Sequence, residues 1–315
     1  MLYPILTILA GLALLAVGAE VLVRGSSSIA LRLGVTPLVI GLTIVAFGTG
    51  TPELLVSIEA ASTGNSGLAL GNIVGSNISN VALILGCAAL ARPLRVRSIL
   101  LRREVPLMIV VTLLLCVMLL DGGLSRLDGA ILLLGSIVYT VGAYVFAKRD
   151  RSREVAAEYS DAMPPVTRAS WIDMLYIVGG LVALMLGAKL LVSGATVVAV
   201  ALGMNQVVIG LTVVAIGTSM PELATSVVAA LKDETDVAFG NVLGSNILNI
   251  LCILGLVALI QPFGAEGLTT LDLAVLAGSA IVLLPLMSRG SILNRWEGAG
   301  LLVGYVIYVG ILVSR

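Results

Sequence analysis

The sequence predicts an all-α polytopic membrane protein: ten transmembrane helices arranged as two inverted five-helix repeats. Three observations predict it. Of 315 residues, 59% are hydrophobic and only 11% charged, which lies outside the range of soluble globular domains. The second half of the chain repeats the first at an offset of 169 residues. Finally, 15 of the 18 Lys and Arg residues fall on one side of the resulting spans. Sparse aromatics (4%) and 35 glycines point to close helix–helix contact in lipid. A formal net charge of zero gives no reason to expect a nucleic-acid partner. There is no histidine, and Cys87, Cys116 and Cys252 lie in apolar runs without metal-ligand spacing, so they read as small core residues.

Apolar segments of spanning length fall at about 2–23, 36–62, 68–91, 105–121 and 126–147. They resume at about 171–192, 205–231, 237–260, 270–288 and 297–314. The first lacks the positive n-region of a cleaved signal peptide, so it reads as a helix that stays. Residues 148–170, "KRDRSREVAAEYSDAMPPVTRAS", carry mixed charge and a Pro-Pro step and read as a solvated cytoplasmic linker. The expected units are therefore 1–147, the linker 148–170, and 171–315.

The repeat is most exact in 41–86 and 210–255, where 24 of 46 aligned positions are identical. "GLTIVAFGTGTPELLVS" from Gly41 matches "GLTVVAIGTSMPELATS" from Gly210, and "GNIVGSNISN" from Gly71 matches "GNVLGSNILN" from Gly240. Shared composition could align oily residues, but it would not hold Pro, Glu, Asn and Ser in register. Arg126 and Arg315 alone stand on the sparse side, with Lys189 near a helix end. By the positive-inside rule both termini lie outside and the linker in the cytoplasm. Five spans per half is odd, so the halves face opposite ways, an arrangement that puts a transport site at the midplane.

The chemistry sits in the repeated stretch. Glu53 and Glu222 fall near the centres of their spans, where a charge costs at least about 2.5–3.5 kcal/mol. No Lys or Arg lies in those spans, leaving protons or bound cations as partners. Pro52 and Pro221 remove a backbone donor beside each glutamate and free a carbonyl one turn earlier. Gly48 and Gly217 let the backbone bend, and Thr49, Thr218 and Ser219 add hydroxyls. Ser76 and Asn80 share a helix face, as do Ser245 and Asn249. For Asn72, Asn77, Asn241 and Asn246, helix glue and ion ligation both remain open. Two carboxylates with carbonyls, hydroxyls and amide oxygens form a hard-oxygen set suited to Ca²⁺ and Na⁺. Two carboxylates balance one divalent ion, and monovalent ions or protons must replace it on leaving, which is the logic of an antiporter.

At these residues the sequence resembles the sodium/calcium exchanger family of the calcium/cation antiporter superfamily, prokaryotic type. The resemblance implies a Ca²⁺/Na⁺ antiporter of the inner (plasma) membrane, not an enzyme, with no cofactor beyond the transported ions. It implies that Glu53 and Glu222 are the central Ca²⁺ ligands and also serve Na⁺. Carbonyls of Ala46, Thr49, Ala215 and Thr218 would complete the shell, Ser76 and Ser245 would bind Na⁺, and Asn80 and Asn249 would stand beside the centre. Gly50 departs from this pattern, since its symmetric position holds Ser219 and family members often carry a hydroxyl there. Potassium-dependent exchangers carry aspartate at the central position, so Asn249 weighs against that branch. Ca²⁺/H⁺ exchange is the alternative, followed by a cation channel and then a non-transporting scaffold.

Overall fold

The computed structural model describes residues 2–62, 66–150, 170–202, 215–265 and 268–314. The chain is helical almost throughout. Among the described residues, eight helices are long and apolar enough to cross a membrane, or nine when the bent pair Pro37–Thr49 and Thr51–Ser62 counts as one span. We label them α1 (Leu2–Leu33), α2 (Pro37–Thr49), α3 (Thr51–Ser62), α4 (Gly67–Ala91), α5 (Leu100–Asp121) and α6 (Arg126–Asp150). The second half holds α7 (Ser170–Ala201), the short α8 (Ala215–Thr218) and α9 (Met220–Leu231), α10 (Thr235–Ile260), α11 (Thr270–Ser288) and α12 (Arg295–Val313). The expected span at 205–231 is represented by α8 and α9, because 203–214 lie outside the described residues. Most of the expected linker, 151–169, lies outside them too.

Several helices outrun their apolar segments. The segment expected at 2–23 belongs to the 32-residue α1, about 48 Å long against a hydrocarbon core of about 30 Å. Hydropathy marks only the part at lipid depth. The rest continues because its charged groups find partners: Arg24 and Lys232 both bind Glu20 at 2.5 Å, and Arg32 binds the buried Asp173 of α7. Arg97 with Asp236 (2.8 Å) and Arg92 with Asp233 extend these ion pairs. All of these basic residues belong to the set that hydropathy assigns to the cytoplasmic side.

The all-α expectation needs one amendment: among the described residues, four two-residue strands clasp the loops. Leu94–Arg95 pairs antiparallel with Ile292–Leu293, and Gly123–Leu124 with Phe263–Gly264. Adding 169 turns the Leu94–Leu293 pair into the Phe263–Leu124 pair. Extended backbone forms here because each strand follows or precedes a helix end whose free backbone groups need partners.

Helices α1 and α7 pack along a stripe of glycines spaced by seven: Gly11, Gly18 and Gly25 against Gly180, Gly187 and Gly194. A side-chain carbon on Gly18 would lie 2.9 Å from the Leu184 backbone nitrogen, so the two backbones touch there. The buried apolar residues of this pair join the start of α2 in a cluster separate from the main core. That core is built from α2 to α6 and α9 to α12, with α4 and α10 buried deepest at its centre. The outer surface carries Leu, Val and Ile, whereas carboxylates, asparagines and serines lie inside. That inversion suits lipid as the surrounding solvent.

Candidate functional site

The chain bends by 44° between α2 and α3, at Gly50 and two residues before Pro52. The bend brings Glu53 into the first turn of α3, and Ser219 and Pro221 do the same for Glu222 in α9. Both carboxylates are buried, at 1% and 2% exposure. Neither forms an ion pair among the described residues, and Glu53 Oε2 and Glu222 Oε2 accept no hydrogen bond from the protein. They face each other closely enough to interact electrostatically.

Hydroxyls reach across from the opposite half. Ser219 donates to Glu53 Oε1 at 3.2 Å, and its oxygen lies 3.5 Å from Ser76 Oγ. Thr218 also contacts Glu53, and Thr49 contacts Glu222. Thr49 further donates to Asn241 Oδ1 at 3.1 Å. The carbonyl of Ala46 is not wholly freed, since it accepts the Gly50 N–H at 3.0 Å and has the Thr49 hydroxyl 3.5 Å away. Ala215 opens the described stretch of α8. Ser76, Ser245, Asn80 and Asn249 are all buried, and among the described residues Asn80 Oδ1 and Ser245 Oγ have no protein partner.

The four asparagines whose role the sequence left open act as locks. Asn77 donates to the Asn246 carbonyl (3.2 Å) and Asn246 to the Asn77 carbonyl (3.3 Å), crossing α4 and α10 reciprocally. Their Oδ1 atoms then accept from Asn249 (2.9 Å) and Asn80 (2.9 Å). Each central amide is thereby pinned by its nitrogen, which turns its oxygen away from the lock. Asn72 donates to Ser57 Oγ (3.2 Å) and Asn241 to Ser226 Oγ (2.9 Å), tying the glutamate helices α3 and α9 to α4 and α10. Ser57 and Ser226 were not singled out from the sequence, although both stand inside the repeated stretch. Wide π-type turns begin at Asn80 and at Asn249, a distortion that recurs at functional sites.

Comparison with known proteins bears on what this arrangement serves. The family model for sodium/calcium exchanger proteins matches residues 3–145 and 172–314. The chain belongs to the sodium/calcium exchanger family. The exchanger is 40% identical to CaxA of Alkalimonas amylolytica over the whole of both chains. It is 35% identical to the sodium/calcium exchanger MaX1 of Methanosarcina acetivorans, covering 98% of this chain and 97% of that one. Its fold superposes on the sodium-calcium exchanger NCX_Mj, soaked with zero Na⁺ and Ca²⁺, with a TM-score of 0.85, 33% identity and 98% of both chains covered. The exchanger is thus an integral membrane cation transporter and not an enzyme. Among its described residues no cluster of three or more His, Cys, Asp or Glu side chains could hold a metal ion.

Proposed function

We propose that this exchanger moves Ca²⁺ against Na⁺ by alternating access, at a single midplane site centred on Glu53 and Glu222. The observation that carries the reading is the surplus of unpartnered neutral oxygen beside two buried carboxylates. Asn80 Oδ1 and Ser245 Oγ are buried without a protein hydrogen bond, as are Glu53 Oε2 and Glu222 Oε2. Leaving such atoms unmatched costs about 1–3 kcal/mol each, so a ligand that accepts them all is favoured. Protons would satisfy the carboxylates alone. Na⁺ also needs neutral oxygens once Ca²⁺ has gone, and these supply them.

The reciprocal Asn77–Asn246 bonds and the two strand pairs, all related by 169 residues, support ten helices in two inverted repeats. The cytoplasmic bias of Lys and Arg supports an inner-membrane location with both termini outside. The α1–α7 pair, with its own apolar cluster, is the natural moving element against the core. In this mechanism Ca²⁺ is balanced by both glutamates, and Na⁺ ions divide between them and the flanking Thr and Ser oxygens. A Na⁺ count above two per Ca²⁺ would move net charge, worth about 2.3 kcal/mol per charge per 100 mV.

The test is Ca²⁺ uptake into sealed vesicles driven in turn by Na⁺, K⁺ and pH gradients. Uptake driven by an outward Na⁺ gradient at clamped pH is expected. Uptake that ignores Na⁺ and follows a pH step would instead establish the Ca²⁺/H⁺ reading.

A further inference from the structure

The two halves of the site are not equivalent, and the inequality rests on one residue. On the Glu53 side, Ser219 closes the gap with a hydroxyl 3.2 Å from Glu53 Oε1 and 3.5 Å from Ser76 Oγ. On the Glu222 side the corresponding residue is Gly50, and Ser245 takes the place of Ser76. A side-chain carbon at Gly50 would stand 3.1 Å from the Ala46 carbonyl oxygen, 3.6 Å from Asn249 Oδ1 and 4.0 Å from Glu222 Oε1. A hydroxyl there would therefore reach the carboxylate as Ser219 does on the other side. Instead a small crevice opens, lined by Ala46, Gly50 and Asn249 with apolar walls from Leu54, Leu248 and Ile253. Among the described residues Ser245 Oγ has no protein partner, whereas Ser76 Oγ has Ser219 beside it.

We propose that Gly50 is a specificity-determining residue, which makes the Glu222 half of the site complete its monovalent cation with a water molecule instead of a fixed hydroxyl. The crevice presents two acceptor oxygens, from Ala46 and Asn249, with Glu222 Oε1 4.0 Å from where a Gly50 side chain would begin. That matches the two to four polar partners an ordered water needs. A water must be immobilised each time the ion binds, whereas a serine hydroxyl is already in place. The Glu222 half accordingly holds Na⁺ more weakly than the Glu53 half, and the two vacate in a fixed order as Na⁺ falls. The inference rests on the Ca²⁺/Na⁺ reading above.

The test compares purified wild type, Gly50→Ser, Gly50→Ala and Ser219→Gly in vesicles, measuring the Na⁺ concentration that half-activates Ca²⁺ uptake. Serine returns an oxygen to the crevice, and alanine fills it without one. The Ala46 carbonyl must yield a few tenths of an ångström for both, so their difference isolates the hydroxyl. Gly50→Ser is expected to lower the half-activating Na⁺ by about fivefold and Gly50→Ala to raise it by about as much. Serine and alanine shifting it alike would overturn the proposal. If both Gly50 variants are inactive, Ser219→Gly decides, because it only removes atoms. Opening the same crevice beside Glu53 is expected to raise half-activating Na⁺ about fivefold, and no change there would overturn the proposal. A wild type with Ca²⁺ uptake indifferent to Na⁺ sinks the exchange reading and this inference with it. A Na⁺-driven wild type with matched Ser and Ala variants sinks the inference alone.

Discussion

Asn77→Ala tests whether the asparagine lock sets the ion site. The side chain of Asn77 donates to the Asn246 carbonyl at 3.2 Å and accepts from Asn249 Nδ2 at 2.9 Å. Asn77 and Asn249 are 1% and 2% exposed, so water cannot replace the lost bonds freely. Truncation leaves one Asn249 side-chain N–H unmatched, at about 1–3 kcal/mol in a buried site, while the Asn246 carbonyl keeps the backbone N–H of Asn249. Interhelical bonds within membranes average nearer 0.6 kcal/mol, which places the loss at about 1–3 kcal/mol in total. The functional consequence is more specific than the stability loss. Once Asn249 Nδ2 is released, its amide turns and Oδ1 leaves its place near Gly50, so Ca²⁺ binding is expected to weaken about tenfold. Calcium titration of purified Asn77→Ala, Asn249→Ala and the double variant gives the coupling between them. Because both singles disable the same oxygen, the double variant is expected to be little worse than Asn249→Ala, a coupling of about 1 kcal/mol or more. Additive losses would refute the lock, and Asn77 would then be ordinary helix glue.

Ser76→Ala and Ser245→Ala should each weaken Na⁺ dependence more than Ca²⁺ binding, with half-activating Na⁺ rising about three- to tenfold; equal losses for both ions would remove these serines from the Na⁺ shell. Gly18→Ala places a carbon 2.9 Å from the Leu184 backbone nitrogen. The backbone there cannot swing aside, so the α1–α7 pair must separate, and thermal stability in detergent should drop by several degrees, about 1–3 kcal/mol of overpacking. An unchanged melting temperature would show that the helices can part at little cost. Cysteines at Ser152 and Ser314, in a background without Cys87, Cys116 and Cys252, should label from opposite sides of the membrane; labelling from one side would undo the inverted topology.

Much of the site could be read from the sequence because its parts are chemically improbable in lipid. A glutamate next to a proline at mid-span, present twice in register, has few structural explanations. Glu53, Glu222, Ser219, Ser76 and the central asparagines are candidates for that reason, and the structure buries each of them. The locks were not legible, since an asparagine reads the same whether its amide holds a helix or an ion, and only the reciprocal Asn77 and Asn246 bonds decide it. Nor was the packing of α1 on α7, although Gly11, Gly18 and Gly25 recur seven residues apart in plain view. Two turns of helix bring every seventh residue back to one face, and a hydropathy scan has no means of seeing that. The end of α1 lies beyond the expected one, because Arg32 pairs with Asp173 and lets the helix run past its apolar stretch. The strand clasps escaped for another reason: two-residue strands exist only through partners far away in the chain.

The central claim is that Glu53 and Glu222 together form one divalent-cation site that Na⁺ can empty. Equilibrium binding of radioactive Ca²⁺ to the purified exchanger tests this most directly, with wild type, Glu53→Gln and Glu222→Gln compared in the presence and absence of Na⁺. One Ca²⁺ per wild-type chain, displaced by Na⁺ and lost in both glutamine variants, is the expected result, because one carboxylate cannot balance the ion. Both variants should remain inserted and monodisperse, since replacing either carboxylate by an amide removes a buried charge. Near-native Ca²⁺ affinity in either variant, or Ca²⁺ that Na⁺ does not displace, would contradict it.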